Sequence, residues 1–245
     1  MVELILDTNI WISHIAKDKP EGIFDILKDQ LKNESVFLLT TDVIVEEWKR
    51  NKANTISQLE SSIRESSKSA TRIKQFLPED KKKEVENLLE VFHINETERL
   101  KLVYNRINEI DDLLLNAERA VTTDEMKIQV ANWALEKRAP FTTKSNSVGD
   151  ALILLAAVEH RKTWGDKGKL FPGFFVSFNH TDYSSSNDPD IIHEDLNDLL
   201  KQANLEYKRN IGEVLNLTPA ISLEIENYID YMVESYKESQ WDLDK

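Results

Sequence analysis

The sequence predicts an α/β fold in three layers, α/β/α, with a central, mostly parallel sheet and a helical insertion. Three observations predict it. Short apolar runs, "VELIL", "SVFLLTT" and "GFFVSFN", are each bounded by polar turn formers, as suits central strands covered on both faces. Segments of helical periodicity alternate with these runs, the order that gives a parallel sheet flanked by helices. From about residue 52 to 138 the chain has no glycine and a single proline, Pro78, and apolar residues recur there at helical spacing.

Taken in order, the first strand covers about Val2 to Leu6 and ends in Asp7-Thr8-Asn9. Pro20 stands at the start of an amphipathic helix, "PEGIFDILKDQLKN", with Ile23, Ile26, Leu27 and Leu31 on one side. "SVFLLTT" is the second strand, and "TDVIVEEWKRN" is a helix capped by Thr41 or Asp42. The stretch 52–138 reads as three to five helices with short stripes such as Leu88, Leu89, Phe92 and Leu100, Val103, Tyr104, Ile107. The stripes shift register, unlike a sustained coiled coil. "VGDALILLAAVEH" is a strongly apolar helix with Asp150 in its first turn. "GFFVSFN" is a further strand ending at Asn179, followed by the polar loop "HTDYSSSNDPD". A short helix at "HEDLNDLLKQA", a strand at "LEYKR" and a helix over 219–243 complete the chain. The expectation is a single domain, 1–245, carrying 52–138 as a helical insertion.

Composition narrows the function classes. The chain has 245 residues and no cysteine, which excludes disulfides, thiolate metal sites and a cysteine nucleophile. No stretch approaches the roughly 18 apolar residues of a membrane span, and the N-terminus lacks a signal-peptide pattern, so a soluble, cytoplasmic protein is expected. A formal charge of −13 disfavours a general polyanion binder. Its distribution is uneven: from Arg50 to Lys83 nine basic residues face four acids. A basic arm on an acidic body suits nucleic-acid contact, and equally a solvated helix face.

The acids carry the chemistry. In a parallel sheet, strand C-termini and helix N-termini share one edge, where open α/β folds bind their ligands. Asp7, one of Glu46 and Glu47, Asp150, Asn179 and Asp182 all fall at such ends. Clustered carboxylates repel and call for a cation. Oxygen donors without cysteine or a histidine pair suit Mg²⁺ or Mn²⁺, ions able to promote phosphodiester hydrolysis. Each residue also has an ordinary use. Asp7 or Thr8 can cap a helix, Asp150 can sit in a first turn for the helix dipole, and Asn179 and Asp182 can form turns. Adjacent glutamates point about 100° apart, so one of the pair faces the site, and Glu47 is preferred. His180 lies beside the cluster, though surface placement is its default.

The segments "LILDTNIWI", "TTDVIVEEWKRN", "SVGDALILLAA" and "FFVSFNHTDYS" together resemble the PIN-domain nucleases, over about residues 1–51 and 139–210. The long helical interval resembles the larger PIN-like branch. The resemblance implies a Mg²⁺- or Mn²⁺-dependent endoribonuclease of toxin or defence-effector type. Asp7, Glu47, Asp150 and Asn179 would be its catalytic residues, and Asp182 a further metal ligand. Asn179 stands where members often carry an acid, so either Asn179 coordinates or Asp182 replaces it. Thr8, Asn9, Lys144 and His180 are the expected substrate contacts, with Arg138 and the basic arm as further candidates. Trp11, Trp48 and Phe141 suit core packing or base stacking. RNA, or single-stranded DNA, is the expected partner. A homodimer and an inhibitory protein on the insertion are also compatible. The competing readings are a DNA-directed nuclease and an inactive PIN-like interaction module.

Overall fold

The computed structural model describes residues 1–19, 21–73, 76–142, 147–165 and 171–243. Five strands form one wholly parallel sheet of order β3-β2-β1-β4-β5. They are β1 (Val2–Leu6), β2 (Val36–Thr41), β3 (Glu118–Ala120), β4 (Gly173–Val176) and β5 (Leu205–Lys208). Every residue of β1 and β4 is buried, whereas β5 at the edge alternates. This is why the inner strands read as apolar runs, interrupted in β1 only by buried Glu3. Strand order reverses beside β1: the chain first builds outward through β2 and β3, then returns to lay β4 on the other flank. Open α/β folds bind their ligands at such a switch point, outside the strand C-termini.

Helices cover the sheet as an α/β/α sandwich. They are α1 (Thr8–Ile10, continuing as a π-helical turn over Trp11–Ile15), α2 (Ile23–Lys32), α3 (Asp42–Ile73), α4 (Glu79–Ile94), α5 (Glu96–Asn116), α6 (Asp124–Glu136), α7 (Val148–Thr163), α8 (His180–Tyr183), α9 (Glu194–Gln202) and α10 (Ile211–Leu243). Helix α7 packs on β2 and β3, α2 on β2, and α10 on α2, β1 and β5. Beneath the N-terminal edge, buried Arg161 of α7 ties one strand and two connections together. It bonds Glu3 of β1 at 2.7 Å and the carbonyls of Phe171, Ala203 and Asn204, in the connections that enter β4 and β5. A Cβ at Gly173 would meet its guanidinium at 2.7 Å.

Several boundaries differ from the expectation. Helix α3 continues unbroken to Ile73, so one helix belongs to both the body and the arm. Helix α5 returns antiparallel to it: Tyr104 bonds Glu60, and Asp111 accepts from Trp48 Nε1 at 2.7 Å and pairs with Lys52. The inner half of α5 is core, with Ile107, Ile110 and Leu114 buried. The arm then re-enters the sheet as β3, a strand too short for periodicity to register. In α2 the buried face is Phe24, Leu27 and Gln30, while Ile26 is exposed. The expected helix start at Pro20 lies outside the described residues.

The C-terminal helix begins at Ile211 instead of Pro219, which lies inside it. Proline has no N–H for the carbonyl four residues back, here Leu215. Buried Gln30 supplies that donor, Nε2 bonding Leu215 O at 2.8 Å. The two departures thus explain each other. Strand β4 stops at Val176, so Ser177, Phe178 and Asn179 leave the sheet and lead into the next helix.

Candidate active site

Asp7 follows the central strand directly and is 2% exposed. It occupies the N-cap position of α1 but makes no side-chain capping bond. Instead its Oδ2 accepts from Ser177 Oγ at 2.5 Å and from Asn9 Nδ2 at 2.8 Å. Asn9 is locked in turn, with Oδ1 accepting from the Phe178 backbone N–H at 3.3 Å. The ends of β1 and β4 are therefore stitched together around one carboxylate.

Thr41 caps α3 by accepting from the Ile44 N–H at 3.1 Å. The following turn then presents Glu47 inward, while Glu46 is exposed and pairs with Lys49. Thr8 Oγ1 donates to Glu47 Oε2 at 2.7 Å, which links α1 to α3. Glu47 also rests on the start of α7. A Cβ at Gly149 would stand 2.5 Å from Glu47 Oε1, so glycine is what allows the carboxylate to reach this helix.

Asp150 sits in the first turn of α7, and Asp182 is buried in α8. Asn179 bridges them, its Nδ2 donating to Asp182 Oδ2 at 2.6 Å and to Asp150 Oδ1 at 3.2 Å. Ser147 and Thr181 also donate to Asp182. Tyr183 is wholly buried and gives its hydroxyl to the Asp150 carbonyl at 2.9 Å. Burial, and then the surrounding acids Asp7, Asp150, Asp182 and Glu47, hold this phenol well above its ordinary range, as a donor.

The charges leave one group strained. Burial first, and then Asp150 and Glu47, push the Asp7 carboxyl up to about 7 despite the Ser177 hydrogen bond. Low dielectric and like charge both disfavour the anion. Arg50 offers modest relief, since it stands 3.8 Å from Glu47 and is 71% exposed. Among the described residues, no three Asp, Glu or His side chains gather closely enough to hold a metal ion as they stand. Asn179 and Thr8 instead occupy the carboxylate oxygens. The donor set nonetheless fits a hard divalent cation. All donors are oxygen, the acids repel, and a cation would relieve what the amide and hydroxyl donors leave uncompensated.

Asp7, Thr8, Asn9, Glu47, Asp150, Asn179 and Asp182 are thus brought to one sheet edge. His180 is exposed beside them, its Nδ1 3.3 Å from the Phe178 carbonyl. Lys144 lies outside the described residues. Arg138 bonds the Asp195 carbonyl and covers Trp133. Trp11, Trp48 and Phe141 are buried in the core. The supporting roles of Ser147, Gly149 and Tyr183 had no sequence signal beyond their closeness to the acids.

A PIN domain family model matches residues 4–183, most of the chain. The chain belongs to the PIN-domain family. PIN domains are generally nucleases and typically use divalent metals, and the membership suggests a nuclease-type function. No curated protein and no solved structure gives a significant match. Among the described residues, no helix of this PIN-domain protein is long and apolar enough to cross a membrane.

Proposed function

We propose that this PIN-domain protein is an Mg²⁺- or Mn²⁺-dependent endonuclease that hydrolyses phosphodiester bonds in RNA. One observation carries the reading: a buried carboxylate at the switch point, raised to about 7 with Asp150 and Glu47 beside it. Such charge is costly to fold around and has an evident use only when a cation neutralises it. Asp7, Glu47 and Asp150 would hold the ion, with Asp182 or the Asn179 carbonyl completing the set. A divalent ion there supplies activation of water and neutralisation of charge developing on the phosphate.

The remaining steps belong to the chain. Ser177 and Asn9 orient Asp7, Thr8 and the Gly149 cradle orient Glu47, and Tyr183 anchors the turn that carries Asp150. Arg50, exposed beside Glu47, would meet a substrate phosphate as a charge-assisted donor.

The test is cleavage of labelled total RNA and matched single-stranded DNA with Mn²⁺, Mg²⁺ or EDTA, alongside Asp7→Asn and Asp150→Asn. Metal-dependent RNA cleavage lost in both variants is expected. Cleavage of DNA alone would keep the site and replace the substrate. Absence of both cleavage and calorimetric Mn²⁺ binding would favour an interaction module, in which Asn179 permanently bridges its two acids.

A further inference from the structure

Beside the acids stands an aromatic pair that the hydrolytic chemistry does not use. His14, at the end of the first helical segment, lies on Phe178 with ring centroids 3.8 Å apart and planes 30° from parallel. Phe178 is the residue between Ser177, which holds Asp7, and Asn179, which bridges Asp150 and Asp182. Its backbone N–H is tied to Asn9. Neighbouring Cα atoms are about 3.8 Å apart, so the backbone of Phe178 runs directly between the two residues that hold the acids.

We infer that His14 and Phe178 form a stacking subsite for an unpaired nucleobase, next to the phosphate that the acids would engage. The inference rests on the nuclease reading and specifies its substrate as single-stranded at that position. Phe178 is half-buried and fixed by its neighbours, whereas His14 is exposed. The phenyl ring therefore serves as a floor, and the imidazole as an accessible plate on top of it. Partial burial lowers the His14 pKa, so near neutral pH the ring is an uncharged π-surface, suited to a base more than to a phosphate. Trp11, Trp48 and Phe175 are sealed in the core and cannot reach a ligand. Bases inside a duplex are already stacked and paired, so only a splayed base can add to this pile. Stacking of this kind tolerates any base, and the subsite would confer preference for single strands without reading sequence.

The test uses the full chain in EDTA, where cleavage cannot interfere, and a single-stranded oligoribonucleotide carrying one 2-aminopurine. Stacking quenches this fluorophore. Quenching on binding is expected, with about 5- to 150-fold weaker affinity and loss of the quench in His14→Ala. His14→Tyr should restore both, and unchanged melting temperatures would separate stacking from folding. Wild-type-like quenching by His14→Ala, or no binding by any version, overturns the subsite. The metal-dependent cleavage assay reports independently on the nuclease reading.

Discussion

At the scale of the residue, Asp7 sets the balance between fold and site. Its folded pKa of about 7 lies above the ordinary 3.8, so between these values the native state binds more protons than the unfolded chain. Stability therefore falls as pH rises from about 4 to about 7, and the contribution of this group is flat beyond. Asp7→Asn removes the buried anion while keeping an oxygen for Ser177. At pH 8 the variant should be more stable than the wild type by up to about 4 kcal/mol, with little difference at pH 4. Urea unfolding at the two pH values, without metal, checks this; an equal loss at both would mean that the carboxylate is not strained. Cleavage should disappear in the same variant. The sequence marks Asp7, Thr8 and Asn9 as a polar stop after an apolar strand. It does not show that Asn9 clamps Asp7 while Thr8 turns to Glu47, because those partners depend on a helix and a strand end far along the chain.

Elements fit together here through single substitutions of function between residues. Pro219 deprives Leu215 O of its helical donor, and Gln30 of α2 replaces it. Gln30→Leu should leave that buried carbonyl unsatisfied and cost about 1–3 kcal/mol, read as a lowered urea midpoint. Introducing Pro219→Ala alongside should recover most of the loss, since the backbone then makes its own bond. A second case is Gly149 at the start of α7. Gly149→Ala favours the helix by roughly 0.5–1 kcal/mol, but its Cβ would meet Glu47 Oε1 at 2.5 Å. The movable end of Glu47 would give way. Unchanged or slightly raised thermal stability is expected together with weakened Mn²⁺ binding by calorimetry. Periodicity found α2, α7 and α9 as helices because their apolar residues repeat locally, though in α2 it put exposed Ile26 on the buried side. It missed the inward Gln30 and the helix running through Pro219, since a neighbour that makes good a missing donor leaves no local trace.

Across the whole molecule, the arm is divided between core and solvent. Residues near the sheet, Ile107, Ile110 and Leu114, are buried, whereas Leu88, Val91 and Leu102 are 65%, 58% and 55% exposed. Replacing residues 64–99 by a short Gly/Ser linker should therefore leave a cooperatively folded body, monitored by circular dichroism melting. Cutting back past Trp48 and Asp111 should abolish it. If the shortened chain also cleaves substrate with unchanged metal dependence, the arm is dispensable for chemistry and available for recognition. The sequence by itself determined the α/β class, the inner strands, the apolar helix behind Asp150 and the set of acids. Each of these is written in local burial periodicity and in carboxylates at element ends. Only the tertiary structure decided the reversal of strand order at β1, the return of the arm as β3, the Arg161 clamp and the bridging of Asp150 and Asp182 by Asn179. Apart from the Asn179–Asp182 bond, three residues long, these depend chiefly on partners tens to hundreds of residues away, and hydrogen bonds between distant segments leave no period in the chain.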